Sequence, residues 1–143
     1  MTEVFAIVNG TERQLSHHGA NSLAEITPQT WEHFTVACGS TYTGGPAEID
    51  AWVMKPVGFD PKKKYPAVIF LHGGSRRQML LGYNYGLYYS HTYGAQQYFA
   101  SQGYIALTIN YRSGIGYGMD FREEKNFGAG GASEVQDVLA AAD

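Results

Sequence analysis

Apolar and polar residues alternate or cluster along the chain in a way that predicts a run of strands followed by strand–helix units. Phe5-Ala-Ile-Val8 is a short apolar run closed by Asn9-Gly10, a strong turn dipeptide, and predicts a strand. Residues 11–30 are polar and predict a connector, with one helical turn allowed at Leu23-Ala-Glu-Ile26. Trp31 to Ala37 alternates large apolar and polar residues, the pattern of a half-buried strand. A glycine-rich turn at Gly39–Pro46 and a second extended run at Ile49–Met54 complete a predicted antiparallel hairpin. After a loop at Pro56–Lys64, Tyr65-Pro-Ala-Val-Ile-Phe-Leu71 is apolar on both faces and predicts a central strand of a mostly parallel sheet. A helix within Gly94–Gln102, ended by Gly103, leads to a second buried strand at Tyr104–Ile109. A glycine turn spans Gly114–Gly118, and Ser133–Ala142 predicts a last helix with Val135, Val138 and Leu139 on its apolar side. A hairpin followed by strand, helix, strand, helix defines the α/β class.

Composition narrows the function more than the fold. With 44% apolar and 16% charged residues, the chain has the makeup of a globular protein rather than a disordered one. No apolar run approaches the ~18 residues of a membrane span. Ten Lys and Arg against 13 Asp and Glu leave a net charge of −3, without the basic footprint of a nucleic-acid binder. The single cysteine, Cys38, excludes an intrachain disulfide and a cysteine-cluster metal site, and reads as an inert small residue. Met1 to Val8 lacks the basic segment and long apolar core of a signal peptide, so the expectation leans to the cytoplasm with the compartment left open.

The most informative local feature is a buried strand that runs straight into His72-Gly73-Gly74. Glycines let backbone approach a ligand and present amide N–H groups to it, and taken alone this turn fits an ordinary strand-to-helix connection. It stands in an ordered series: Gly-Phe-Asp-Pro (58–61), Lys-Lys-Tyr-Pro (63–66), the strand, His-Gly-Gly (72–74), Gln97-Tyr-Phe-Ala-Ser-Gln-Gly-Tyr104 and Asn110-Tyr-Arg-Ser-Gly-Ile-Gly-Tyr-Gly118. This series resembles the prolyl oligopeptidase family of serine peptidases, which includes dipeptidyl and acylaminoacyl peptidases. Phe121-Arg122 and Gly131-Ala-Ser-Glu-Val-Gln-Asp-Val138 resemble that family's approach to its nucleophile. The resemblance implies an α/β-hydrolase domain preceded by a β-propeller: residues 1–26 as the end of the propeller and linker, and residues 27–143 as the N-terminal portion of the peptidase domain. It implies no cofactor and no metal, a peptide substrate for the complete protein, and an oxyanion hole or substrate contact at His72, Gly73 and Gly74. Many relatives have proline where this chain has Ser75, followed by Arg76 and Arg77.

The nucleophile of an α/β-hydrolase sits at Gly-x-Ser-x-Gly, with the acid and histidine after it in chain order. No serine here has glycine at both flanking positions: Ser75 meets Arg77, and Ser133 meets Val135. The expectation is therefore an incomplete α/β-hydrolase fold whose triad lies beyond Asp143, so that the chain contributes the oxyanion loop but no triad residue. The alternatives are a non-catalytic binding or assembly module derived from a hydrolase, and a fragment of an esterase of the same fold. Surface roles are expected for His17, His18 and His33, and a structural role for His91. Arg112 is expected to anchor a loop, and Glu134 and Asp137 to lie on a solvated helix face. The tyrosines Tyr83, Tyr85, Tyr88, Tyr89, Tyr93 and Tyr98 are read first as surface buried against another domain and second as an aromatic wall for a peptide. Missing later strands would leave the strands of Ile69 and Ile105 with uncovered edges or faces, predicting self-association.

Overall fold

The computed structural model describes residues 3–20, 27–74, 76–82, 89–125, 127–128 and 130–143. The Leu23–Ile26 turn, Ser75, Tyr83, Tyr85 and Tyr88 lie outside the described residues. Strands β1 (Phe5–Val8) and β2 (Thr11–Gln14) form a separate antiparallel pair. Strand β2 corrects the expected connector, because every one of its residues is exposed and carries no apolar signal. Its signal is the turn: Asn9 and Gly10 both take positive φ, +51° and +77°, the conformation that folds a two-residue hairpin back on itself.

The main sheet contains β3 (Trp31–Ser40), β4 (Pro46–Met54), β5 (Ala67–Leu71) and β6 (Ile105–Asn110) in the order β3-β4-β6-β5. β3 and β4 form the expected hairpin, with a register shift between Ala37 and Gly39. β4 pairs antiparallel with β6, and β5 pairs parallel with β6, Val68 opposite Ala106 and Leu71 opposite Ile109. Helix α1 (Thr92–Ser101) is the crossover between the two parallel strands. It ends as the sequence predicts: Gly103 at φ +87° lets Tyr104 N–H return to Phe99 O at 3.0 Å and Gly103 N–H to Ala100 O at 3.2 Å. A single helical turn, α2 (Met119–Arg122), and helix α3 (Ser133–Ala142) follow.

The sheet is covered on both faces, by one long helix each. Met54, Ala100 and Ala106 form a core with Trp31, Val68 and Tyr93 on the α1 side. Ile49, Ala51, Leu107, Ile109, Tyr111 and Phe121 form the larger core, against which Val138 and Ala141 of α3 pack. β6 lies between two strands and under both layers, so it is buried along almost its whole length, and the expectation that the Ile105 strand is uncovered is not met. β5 is instead the edge strand of the described sheet rather than a central one. Val68 and Phe70 turn toward α1, whereas Ile69 stays 38% exposed, because α3 does not reach across to this edge.

Helix α3 is rotated relative to its apolar pattern. Val135 and Leu139 are exposed, Leu139 by 60%, while Ser133 and Asp137 face inward and Asp137 is 0% exposed. The expectation of a solvated Asp137 is therefore wrong. Arg112, buried at the end of β6, donates to the Asp137 carboxylate from its backbone N at 2.7 Å, Nε at 2.9 Å and Nη2 at 2.8 Å. The same guanidinium donates to Ser40 O at 2.8 Å, so that one arginine fastens β3, β6 and α3 together. Burial works against both charges. For Arg112 the bonds to Asp137 more than offset it and push its pKa up; for Asp137 burial raises the pKa against the opposing pull of Arg112. With three donors on one carboxylate, the pair is ionised near neutrality. Arg112 is the loop anchor that the sequence predicts.

Candidate oxyanion loop

β5 delivers its chain end to the face of β6 where four consecutive residues, Asn110 to Ser113, fix everything around it. Asn110 holds the main chain of Met79, accepting its N–H at 2.7 Å and donating to its O at 3.1 Å. Tyr111 stacks on His72, ring centroids 4.1 Å apart and planes 18° from parallel, and its hydroxyl donates to His72 O at 2.5 Å. Arg112 holds α3. Ser113, fully buried with φ +76°, donates its N–H to Phe121 O of α2 at 3.0 Å. A non-glycine residue in this left-handed region is strained and is held only by surrounding contacts.

His72 is 2% exposed, and neither ring nitrogen makes a hydrogen bond among the described residues. Burial pushes its pKa down to about 4, with the Arg77 charge adding to the effect and the backbone of Gly73 and Gly74 opposing it. The imidazole is thus neutral and serves as a packed plate under the loop. Gly73 and Gly74, by contrast, are exposed. Gly73 N–H donates to the Tyr89 hydroxyl at 2.6 Å, and that hydroxyl donates back to Gly73 O at 3.2 Å. Gly74 takes φ +66°, which favours glycine, and among the described residues no acceptor meets its N–H. A cleft of about 470 Å³ opens here, lined by Phe70, Leu71, Gly73, Gly74, Arg77 and Tyr89.

The remaining candidates fall outside this cleft. Arg76 turns away to Glu123, forming a two-pronged pair at 2.6 and 2.9 Å that holds the Glu123 carboxyl down at about 2. His17 and His18 are exposed. His33 is exposed on β3 and pairs with Asp50 at 2.6 Å. His91 lines a separate apolar cavity of about 270 Å³ with Val68, Phe70 and Phe99. Cys38 is buried, and burial raises its thiol to about 12, as fits an inert residue. Of the tyrosine cluster, Tyr89 alone is placed at the loop among the described members; Tyr93 packs in the α1 core and Tyr98 is exposed. Sequence reasoning missed the roles of Tyr89 and Tyr111, whose partners lie 16 and 39 residues away along the chain.

A β5 strand that runs into two exposed glycines, in a mixed sheet covered on both faces, is consistent with part of an α/β-hydrolase frame, and comparison with known proteins agrees. No protein-family model matches the chain. Dipeptidyl-peptidase 5 of Aspergillus fumigatus is 31% identical over 91 residues, which cover 64% of this chain and 12% of that protein. The uncharacterized peptidase YuxL of Bacillus subtilis is 30% identical over 96 residues, 66% of this chain and 13% of that protein. Among solved structures, the acylaminoacyl peptidase of Pyrococcus horikoshii superposes with a TM-score of 0.72 at 26% identity, over 98% of this chain and 20% of that one. Dipeptidyl peptidase 4 of Porphyromonas gingivalis gives 0.66 at 25% identity, over 93% of this chain and 18% of its own. These structural neighbours are α/β-hydrolase peptidases. The chain is similar to peptidases of the prolyl oligopeptidase family, and spans about an eighth of the length of the curated relatives it matches.

Proposed function

We propose that this chain is the oxyanion-loop segment of a serine peptidase that cleaves peptide bonds by acyl transfer. In that reaction a serine hydroxyl attacks the scissile carbonyl, a histidine takes its proton, and backbone N–H groups bind the oxygen as it becomes negative. On this reading residues 27–143 are the N-terminal portion of the catalytic domain, and residues 1–26 are the propeller exit and linker. Gly73 and Gly74 form the chain's share of the substrate site, with His72 packed beneath them rather than facing the cleft. The observation that carries the reading is Gly74, an exposed residue lining the cleft, whose N–H meets no acceptor among the described residues. A preorganised donor of this kind contributes about 3–4 kcal/mol of transition-state stabilisation. Gly-x-Ser-x-Gly is absent from the 143 residues, so the nucleophile comes from elsewhere in the protein.

The test has two parts. The purified 143-residue chain should neither hydrolyse a peptide-like ester nor react with a fluorophosphonate serine probe. The coding DNA beyond the Asp143 codon should continue in frame into Gly-x-Ser-x-Gly. Labelling of the chain alone, or an immediate stop codon, refutes the proposal.

A further inference from the structure

Two tyrosine hydroxyls bracket two consecutive peptide units of the loop. The peptide joining His72 and Gly73 is trans, so its C=O and N–H point in opposite directions. Tyr111 Oη donates to the C=O at 2.5 Å from the core side, and Tyr89 Oη accepts from the N–H at 2.6 Å from the cleft side. The next peptide, Gly73 to Gly74, is held through its C=O, which accepts from the same Tyr89 hydroxyl at 3.2 Å. Three of the four polar groups of these peptides are therefore committed to the two tyrosines. The fourth, the Gly74 N–H, is trans to the Gly73 C=O and so points away from Tyr89. Further contacts fix the tyrosines themselves. Tyr111 lies flat against His72, and Tyr89 sits edge-on to Phe70 at 6.0 Å with Arg77 over its face at 5.8 Å. A side chain on Gly73 would meet Tyr89 Oη at 3.3 Å and so crowd this hydroxyl.

We propose that Tyr89 and Tyr111 are positioning residues that together aim the Gly74 N–H as an oxyanion donor, the one left uncommitted among the described residues of the loop. The inference rests on the peptidase reading above, and it distinguishes the two glycines. Gly73 is the clamped residue, its N–H already engaged, and Gly74 is the donor. Tyr111 acts from the core and sets the first peptide plane, whereas Tyr89 acts from the cleft and sets the second.

Single-residue hydrogen–deuterium exchange of the 143-residue chain, read by fragmentation mass spectrometry, tests the clamp without any need for hydrolysis. Both glycines are exposed, so burial does not separate them and the hydrogen bond must. In the unsubstituted chain the Gly73 amide should be protected and the Gly74 amide should exchange as an open one. Tyr89→Phe should speed Gly73 exchange roughly fivefold, the factor for one ordinary hydrogen bond, while the Gly103 and α1 amides stay unchanged. Tyr111→Phe keeps the stack on His72 and removes the bond to its C=O, and should also speed Gly73 exchange with α1 unmoved. Equal protection of Gly73 and Gly74 overturns the proposal, as does a Gly73 rate indifferent to both substitutions. A purely structural role would show as faster exchange throughout β6 and α1, and would equally overturn it. A clamp that holds in a gene without the serine motif would refute the peptidase reading alone, and an absent clamp in a gene with the motif would refute this inference alone.

Discussion

Replacing Asp137 by alanine should be among the most damaging single changes in this chain, although the residue belongs to a helix whose sequence pattern marks it as surface. The carboxylate is 0% exposed and accepts three charge-assisted bonds from Arg112. Its removal leaves a guanidinium, itself only 4% exposed, with the Ser40 carbonyl, Gln136 Oε1 at 3.3 Å and Glu124 at 3.7 Å. Breaking a buried pair in this way costs about 3–5 kcal/mol, because the surviving charge stays out of water. Glu124 remains close enough to neutralise part of that charge, so the lower end, about 3 kcal/mol, is expected. For a chain of this size that corresponds to a fall of roughly 6–12 °C in the midpoint of thermal unfolding. Asp137→Asn keeps the volume and the bond to the Arg112 backbone N–H but loses the charge, and should cost about 2 kcal/mol. Val135→Ala on the exposed side of the same helix serves as the control and should change stability by less than about 0.5 kcal/mol. Urea unfolding of the three variants measures the series. A Asp137→Ala loss below about 1 kcal/mol, or one no larger than that of Val135→Ala, would show that the arginine is not relying on Asp137 and would refute the account of how α3 is docked.

The other predictions concern the loop and the sheet edge. His72 titrates near 4 when folded and at an ordinary ~6.5 when unfolded, so the unfolded chain binds the extra proton between those values. Its contribution is fully present above pH 6.5 and is lost as the pH falls toward 4, by up to about 3 kcal/mol; His72→Gln should flatten the stability profile in that window, and an unchanged slope would count against the buried neutral imidazole. A Cβ at Gly114 would sit 2.8 Å from Arg77 O and 3.1 Å from Tyr111 O, both backbone atoms. Gly114→Ala should therefore cost about 1–3 kcal/mol in urea unfolding, as overpacking does, and a neutral effect would mean that the turn is free to shift. The β5 edge presents Ile69 and Leu71 to solvent, so sedimentation velocity should show concentration-dependent association of the chain that Ile69→Lys reduces; a monomer at all concentrations would contradict it.

Much of the fold was legible because its signals are local. Two apolar runs named β5 and β6, glycine at 103 marked the end of α1, and the strand running into His72-Gly73-Gly74 located the loop. The ordered motifs from Gly58 to Gly118 pointed to the family that the comparisons support. The misreadings have a common cause. β2 is polar throughout and exists as a strand because Asn9-Gly10 folds it onto β1. α3 was placed by its apolar stripe, yet its orientation is set by the Arg112 charge just beyond β6, which holds Asp137 inward.

The sequence alone determined which segments extend, which coil and where a glycine loop leaves a buried strand, since those follow from side-chain period and backbone freedom over a few residues. It did not determine which polar groups meet. Tyr111 reaches the His72 carbonyl only because β5 and β6 are paired with Leu71 opposite Ile109, and Tyr89 reaches Gly73 from beyond a segment of six residues outside the described structure. Hydrogen bonds between distant residues depend on strand register and helix rotation, which are settled by packing the whole molecule at once. The chemistry of the loop therefore belongs to the tertiary structure: two tyrosine hydroxyls engage the peptides around Gly73, and the Gly74 N–H is left facing away from them.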